Sequence, residues 1–108
     1  LLQYGRHFRL NHESKLIVGR TEKDNENILK YHNPKIDTII DVKDHPSPIG
    51  LIPHGGTQQI IYLACSICVG YSKASNLTPV GVVVKSPSGK QTIEVIGIPT
   101  ADFKKLLI

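Results

Sequence analysis

The chain has 108 residues, 40% of them hydrophobic and 20% charged, which is the balance of one ordinary globular domain and excludes a disordered segment. A chain of this length buries roughly 65% of the surface its unfolded form exposes, so a core forms without disulfide or metal staples. The formal net charge of +4 and the two cysteines point to a polyanionic partner and away from a disulfide-built secreted scaffold.

The basic charge is divided along the chain. Residues 1–20 carry Arg6, Arg9, Lys15 and Arg20 against Glu13, residues 21–41 are net acidic, and residues 42–90 carry Lys43, Lys73, Lys85 and Lys90 against Asp44. A fold that joins the two basic regions makes one basic face, whereas otherwise the charge is a scattered solvated surface. The sequence contains no Met and opens on Leu1-Leu2-Gln3-Tyr4, which reads as a fragment or mature domain of a longer chain. Nothing resembles a signal peptide. The longest apolar run, Ile60 to Gly70, is too short to span a bilayer, so the expectation is a cytoplasmic chain with no membrane partner.

In chain order, His7-Phe8-Arg9-Leu10 and Lys15-Leu16-Ile17-Val18 are β-prone runs on either side of Asn11-His12-Glu13-Ser14, and they predict a hairpin. Gly19 breaks the pattern. Thr21 then stands as an N-cap with Asp24 at the capping-box position, predicting a helix to about Tyr31 with a narrow apolar edge of Ile28, Leu29 and Tyr31. Asn33-Pro34 ends it, because the residue before proline is pushed out of the α region. Asp37 to Lys43 and Ile49 to Ile52 predict strands flanking a turn-rich Asp44 to Pro48.

His54-Gly55-Gly56-Thr57 is a turn and cap signal. From Gln58 the chain places Ile60, Ala64, Ile67, Cys68 and Tyr71 on one helical stripe, which Ile61, Leu63, Cys65 and Val69 widen into a nearly central helix. Val80 to Lys85 and Thr92 to Ile96 are β-rich and are joined by Ser86-Pro87-Ser88-Gly89. Asp102 to Leu107 has the composition of a last short helix. The order ββαββαββ(α) predicts a single α+β domain over residues 1–108, a two-layer sandwich of a mostly antiparallel sheet with its two main helices on one face.

Cys65-Ser66-Ile67-Cys68 has redox or half-zinc spacing, but it lies inside the hydrophobic helix with no second ligand pair, so buried structural cysteines are expected and no metal site. The histidines at 7, 12, 32, 45 and 54 have no ligand spacing. Neither a nucleophile elbow nor a Walker-type loop is present, so no catalytic residues are assigned. Gly55, Gly56 and Thr57 before the long helix form a candidate anion site, because glycines permit close backbone approach and a helix N-terminus offers free N–H groups. His54, Lys43 and Lys73 are candidate companions, and the alternative is an ordinary turn followed by a cap. Arg6, His7 and Arg9, interleaved with Tyr4 and Phe8, suit phosphate contact and base stacking, or equally a half-buried strand with its arginines in water.

Three spaced segments carry a family likeness. They are Val18-Gly19-Arg20 leading to Asp24-Asn25-Glu26-Asn27, then Asp37 to Gly50, then Gly70-Tyr71-Ser72-Lys73-Ala74. Together they resemble the RNA-binding domain called NFACT-R, over nearly all of residues 5 to 97. The opening Tyr4 to Leu10 looks like the variant fused behind a PP-loop ATP-pyrophosphatase domain in 4-thiouridine synthase-like tRNA-thiolating proteins.

The ribosome-associated branch usually carries Trp-Leu-His in the second segment and Gly-Ser-His after its proline, where this chain has Ile39-Ile40-Asp41 and Ser47-Pro48-Ile49. The resemblance implies a non-catalytic accessory domain that binds RNA, in particular tRNA, for a catalytic domain of the same parent chain. It implies no cofactor in this domain and ATP for the parent. Arg6, Arg9, Arg20, Lys43, His45 and Lys73 are then the RNA-binding residues, with Tyr71 stacking on a base or packing beneath them. The alternatives are a ribosome-associated quality-control module and a protein-interaction domain that docks the catalytic domain through a sheet edge.

Overall fold

Short runs of branched apolar residues build the sheet. In the computed structural model, which describes residues 5–44, 47–72, 78–99, 102 and 106, the strands are β1 (Arg6–Arg9), β2 (Lys15–Val18), β3 (Thr38–Val42), β4 (Gly50–Ile52), β5 (Val80–Ser86) and β6 (Gly89–Val95). Helix α1 (Glu22–Tyr31) lies between β2 and β3, and α2 (Gln58–Tyr71) between β4 and β5. The spatial order is β1-β2-β4-β3-β5-β6, and every pairing is antiparallel. The α+β class and the element order are those the sequence predicts. The terminal helix expected over Asp102 to Leu107 lies outside the described residues apart from Asp102 and Leu106.

Strand alternation assigns the two faces. Leu16, Val18, Ile40, Val42, Ile52, Val80, Val82 and Val84 point to one side, where Ile61, Ala64, Cys65, Ile67, Cys68 and Val69 of α2 cover them. Each such side chain taken from water contributes about 1.5–3 kcal/mol, so α2 and this face make the main core. Gly50 is required beneath the helix, because a Cβ there would stand 2.6 Å from Cys68 Sγ.

Helix α1 departs from the expectation of both helices on one face. Ile17, Ile39 and Leu51 form a row across β2, β4 and β3 on the opposite side, and they share a smaller buried cluster with Ile49 and Ile28 of α1. Leu16-Ile17-Val18 and Thr38-Ile39-Ile40 are buried without alternation, the mark of strands covered on both faces. Ile28 is the one buried residue of α1, so this helix covers only a small patch. Among the described residues no helix is long and apolar enough to cross a membrane.

Candidate nucleic-acid interface

Both ends of α1's lead-in are fixed by short polar contacts. Thr21 Oγ1 accepts the Asp24 N–H at 3.1 Å, and Asp24 Oδ2 accepts the Arg20 N–H at 3.1 Å. This is the cap predicted from Thr21 and Asp24, with the carboxylate reaching back one residue further than in a standard capping box. The first turn of α1 also carries two acids, Glu22 and Asp24. Any anion recognised here is therefore held by side-chain cations and not by the helix end.

Gly19 and Asn25 tie the first segment to the second. The Gly19 N–H donates to the Ile49 carbonyl at 3.0 Å, while Asn25 Oδ1 accepts the Ile49 N–H at 3.0 Å. A Cβ on Gly19 would collide with that same Asn25 oxygen. The glycine and the asparagine are thus one device, which holds the chain after Pro48 against the start of α1. Asn25 belonged to the sequence motif without a role, and its fixed spacing from Gly19 was the available signal.

The third segment arrives through α2, whose last residue is Tyr71. The Arg6 guanidinium sits 4.9 Å from the centroid of the Tyr71 ring, and Phe8 stands 6.1 Å from it at a 50° tilt. Burial pushes the Tyr71 phenol above its ordinary value, with Arg6 acting in the opposite direction. The ring lies against the Arg6 guanidinium, a cation-π contact that restricts where that guanidinium points.

These pieces line one open cleft of about 370 Å³, formed by Arg6, Gly19, Arg20, Thr21, Glu22, Asn25, Ser47, Pro48 and Tyr71. The cleft joins residues from all three sequence segments. Ser47 and Pro48 enter it as residues that sequence reasoning did not assign to the site.

The other predicted residues lie elsewhere. Arg9 lines a smaller cleft of about 270 Å³ with His12, Glu13, Lys15 and His54. Lys43 follows β3, where its N–H donates to the Gly81 carbonyl at 2.9 Å and its side chain lies over Gly81, away from the α2 face. His45 and Lys73 fall outside the described residues. Gly55, Gly56 and Thr57 sit at the N-terminus of α2, the opposite end of that helix from Tyr71.

Cys65 and Cys68 are buried free thiols. Desolvation raises Cys65 from 9.0 to about 12. It raises Cys68 as well, with the neighbouring Cys65 and Asp41 adding to the rise. Neither thiol ionises near neutral pH, which leaves no redox nucleophile here. Among the described residues no group of three His, Cys, Asp or Glu side chains is arranged to hold a metal ion.

Comparison with known proteins places this architecture in context. The profile of the NFACT protein RNA binding domain matches residues 5–106. The C-terminal part of the fibronectin/fibrinogen-binding protein from Streptococcus suis superposes with a TM-score of 0.79 at 17% identity, covering 97% of this chain and 49% of that one. The likeness at that identity concerns the fold alone, and the present chain spans about half the length of that solved chain. A sequence search of curated proteins gives no match.

Proposed function

Because the chain belongs to the NFACT protein RNA binding domain family, we propose that it binds tRNA through the cleft between Arg6, Arg20 and Tyr71 and presents it to a PP-loop tRNA-thiolating domain of the same parent protein. ATP then serves the parent's catalytic domain, and this domain supplies binding alone. The observation that carries the reading is the convergence of the three segments on one cleft. Two guanidinium groups line it, Asn25 and Ser47 add polar edges, and the buried thiols of α2 offer no competing chemistry. Arginine forks suit phosphate oxygens, and an open cleft suits a backbone more than an enclosed small molecule.

Electrophoretic shift with tRNA tests the site. Arg20→Glu and Arg6→Glu should each weaken binding about tenfold or more, since each removes a charge-assisted contact and adds a repulsive charge. Unchanged affinity in both variants would overturn the assignment. In the full-length protein the same substitutions should lower the thiouridine content of cellular tRNA measured by mass spectrometry. Unaltered content alongside lost RNA binding would overturn the catalytic partnership while leaving the RNA site standing.

A further inference from the structure

The N-terminus of α2 is capped like that of α1 but carries no acid in its first turn. Thr57 Oγ1 accepts the Ile60 N–H at 3.3 Å, and the Ile61 N–H returns to the Thr57 carbonyl at 2.9 Å. The N–H groups of Gly56, Thr57, Gln58 and Gln59 donate to no acceptor among the described residues. No acid stands in the first turn of α2, so its own first turn leaves the positive end of this 14-residue helix uncompensated.

A second feature faces the same place from the β1–β2 turn. Ser14 is only 5% exposed. Its backbone is fully engaged, the N–H donating to Asn11 Oδ1 at 2.7 Å and the carbonyl accepting from Leu10 and Asn11. Its hydroxyl has no hydrogen-bond partner among the described residues but is not sealed from solvent, and a Cβ on Gly56 would come within 3.4 Å of it. The hydroxyl therefore keeps its small remaining exposure on the cavity that Ser14 lines with Gly56 and Thr57. That open cavity, of about 510 Å³, is lined by Asn11, Glu13, Ser14, His54, Gly55, Gly56 and Thr57.

The approach is held open by the loop before α2. Asp37, itself buried, accepts the His54 N–H at 3.0 Å and the Asn33 N–H at 2.8 Å. The Gly55 N–H closes a turn onto the Ile52 carbonyl at 3.0 Å, with φ of 64° at His54 and 72° at Gly55. A Cβ on Gly56 would also lie 2.8 Å from Ile60 Cγ2, so only glycine leaves this floor clear.

We propose that the amides of Gly56, Thr57, Gln58 and Gln59, together with the Ser14 hydroxyl, form a phosphate-binding site. The ligand is a tetrahedral phosphate oxyanion, which accepts several converging hydrogen bonds at once. Glu13 at the rim opposes an anion there. Helix α2 is about 21 Å long at 1.5 Å per residue, so this site and the Arg6–Arg20 cleft stand at opposite ends of one rigid rod. The phosphate can come from an RNA backbone reaching both ends or from a free phosphate compound. The first source rests on the RNA reading above, and the site itself does not.

The test is ¹⁵N–¹H NMR titration of the 108-residue chain with inorganic phosphate, against sodium chloride at matched ionic strength. Saturable shifts of the Gly56, Gln58 and Gln59 amides are expected with phosphate alone. Ser14→Ala should weaken the apparent affinity about tenfold, the worth of one hydrogen bond to a charged group. Glu13→Gln should tighten it by about threefold through lost repulsion. Gly56→Ala, checked by a dispersed spectrum, should abolish the shifts.

Equal shifts with phosphate and chloride, or saturation unaltered in both Ser14→Ala and Gly56→Ala, would overturn the proposal. A short RNA oligonucleotide that moves the same amides in competition with phosphate assigns the ligand to the RNA backbone. An oligonucleotide that leaves them unmoved while phosphate saturates assigns it to a free phosphate compound. Inorganic phosphate reports on this site whether or not RNA binds at Arg20, so failure here and failure of the RNA reading are separable.

Discussion

Gly19 has no room for a side chain, and the reason lies in Asn25. The asparagine oxygen occupies the space where a Cβ would stand because it must reach the Ile49 N–H. Gly19→Ala should therefore act by displacing Asn25 and stranding that part-buried donor, at a cost of about 1–3 kcal/mol. Asn25→Ala should cost a similar amount. Since both substitutions break the same hydrogen bond, the double variant should be clearly less destabilised than the sum of the singles when denaturant midpoints are compared. Additive losses would mean that the two residues act separately. The same contact explains the spacing of the first segment: six residues on from Gly19, Asn25 stands about one turn into α1, facing back over the glycine.

At the scale of elements, α2 decides most of the core, and its two cysteines report on it. The Cys65 thiol is raised from 9.0 to about 12 by burial, so at pH 8 its thiolate is about a thousandfold scarcer than that of a free thiol. Alkylation by iodoacetamide at pH 8 should accordingly be slow in the folded chain and fast in denaturant. Fast modification of the folded chain would contradict the packing. The linkage has a definite sign. The folded state retains a proton that the unfolded state releases, so this contribution to stability is complete below pH 9 and is lost as the pH rises towards about 12. Cys65→Ala should flatten the fall of the thermal midpoint across that window. Helix α1, with one buried residue, contributes little to the core and instead positions Arg20 beside Arg6.

For the whole molecule, charge and topology act together. The sheet order carries β4 between β2 and β3, and this insertion brings the start of β4 beside Gly19 and the end of α2 beside β1. Arg6 and Arg20 thereby meet in one cleft while Arg9 and Lys43 are led to other surfaces. Replacing a residue in the cleft should change the salt dependence of RNA binding as well as its strength. Arg20→Gln should lower the slope of log affinity against log salt by about one unit, the release of one phosphate contact. Lys43→Gln should leave the slope nearly unchanged if the cleft is the site. Equal effects from both substitutions would indicate a diffuse basic surface.

The α+β class, the eight described elements in their order, the Thr21 and Thr57 caps and the buried character of Cys65 and Cys68 were legible in the chain, because each depends on local chemistry: capping, periodicity and the turn residues between runs. The placement of α1 on the opposite face was written more faintly, in the unbroken apolar runs of β2 and β3, which signal burial on both sides. Which cations converge was not legible, since Arg6 and Tyr71 are 65 positions apart in sequence and meet only through the packing of α2 across the sheet. Nor was Ser14, an ordinary turn residue until the β1–β2 hairpin sets it against the free amides of α2. Sequence determines what a segment becomes through interactions within a few residues. Which distant segments share a cleft is decided by strand order and core packing, and the tertiary structure alone fixes those.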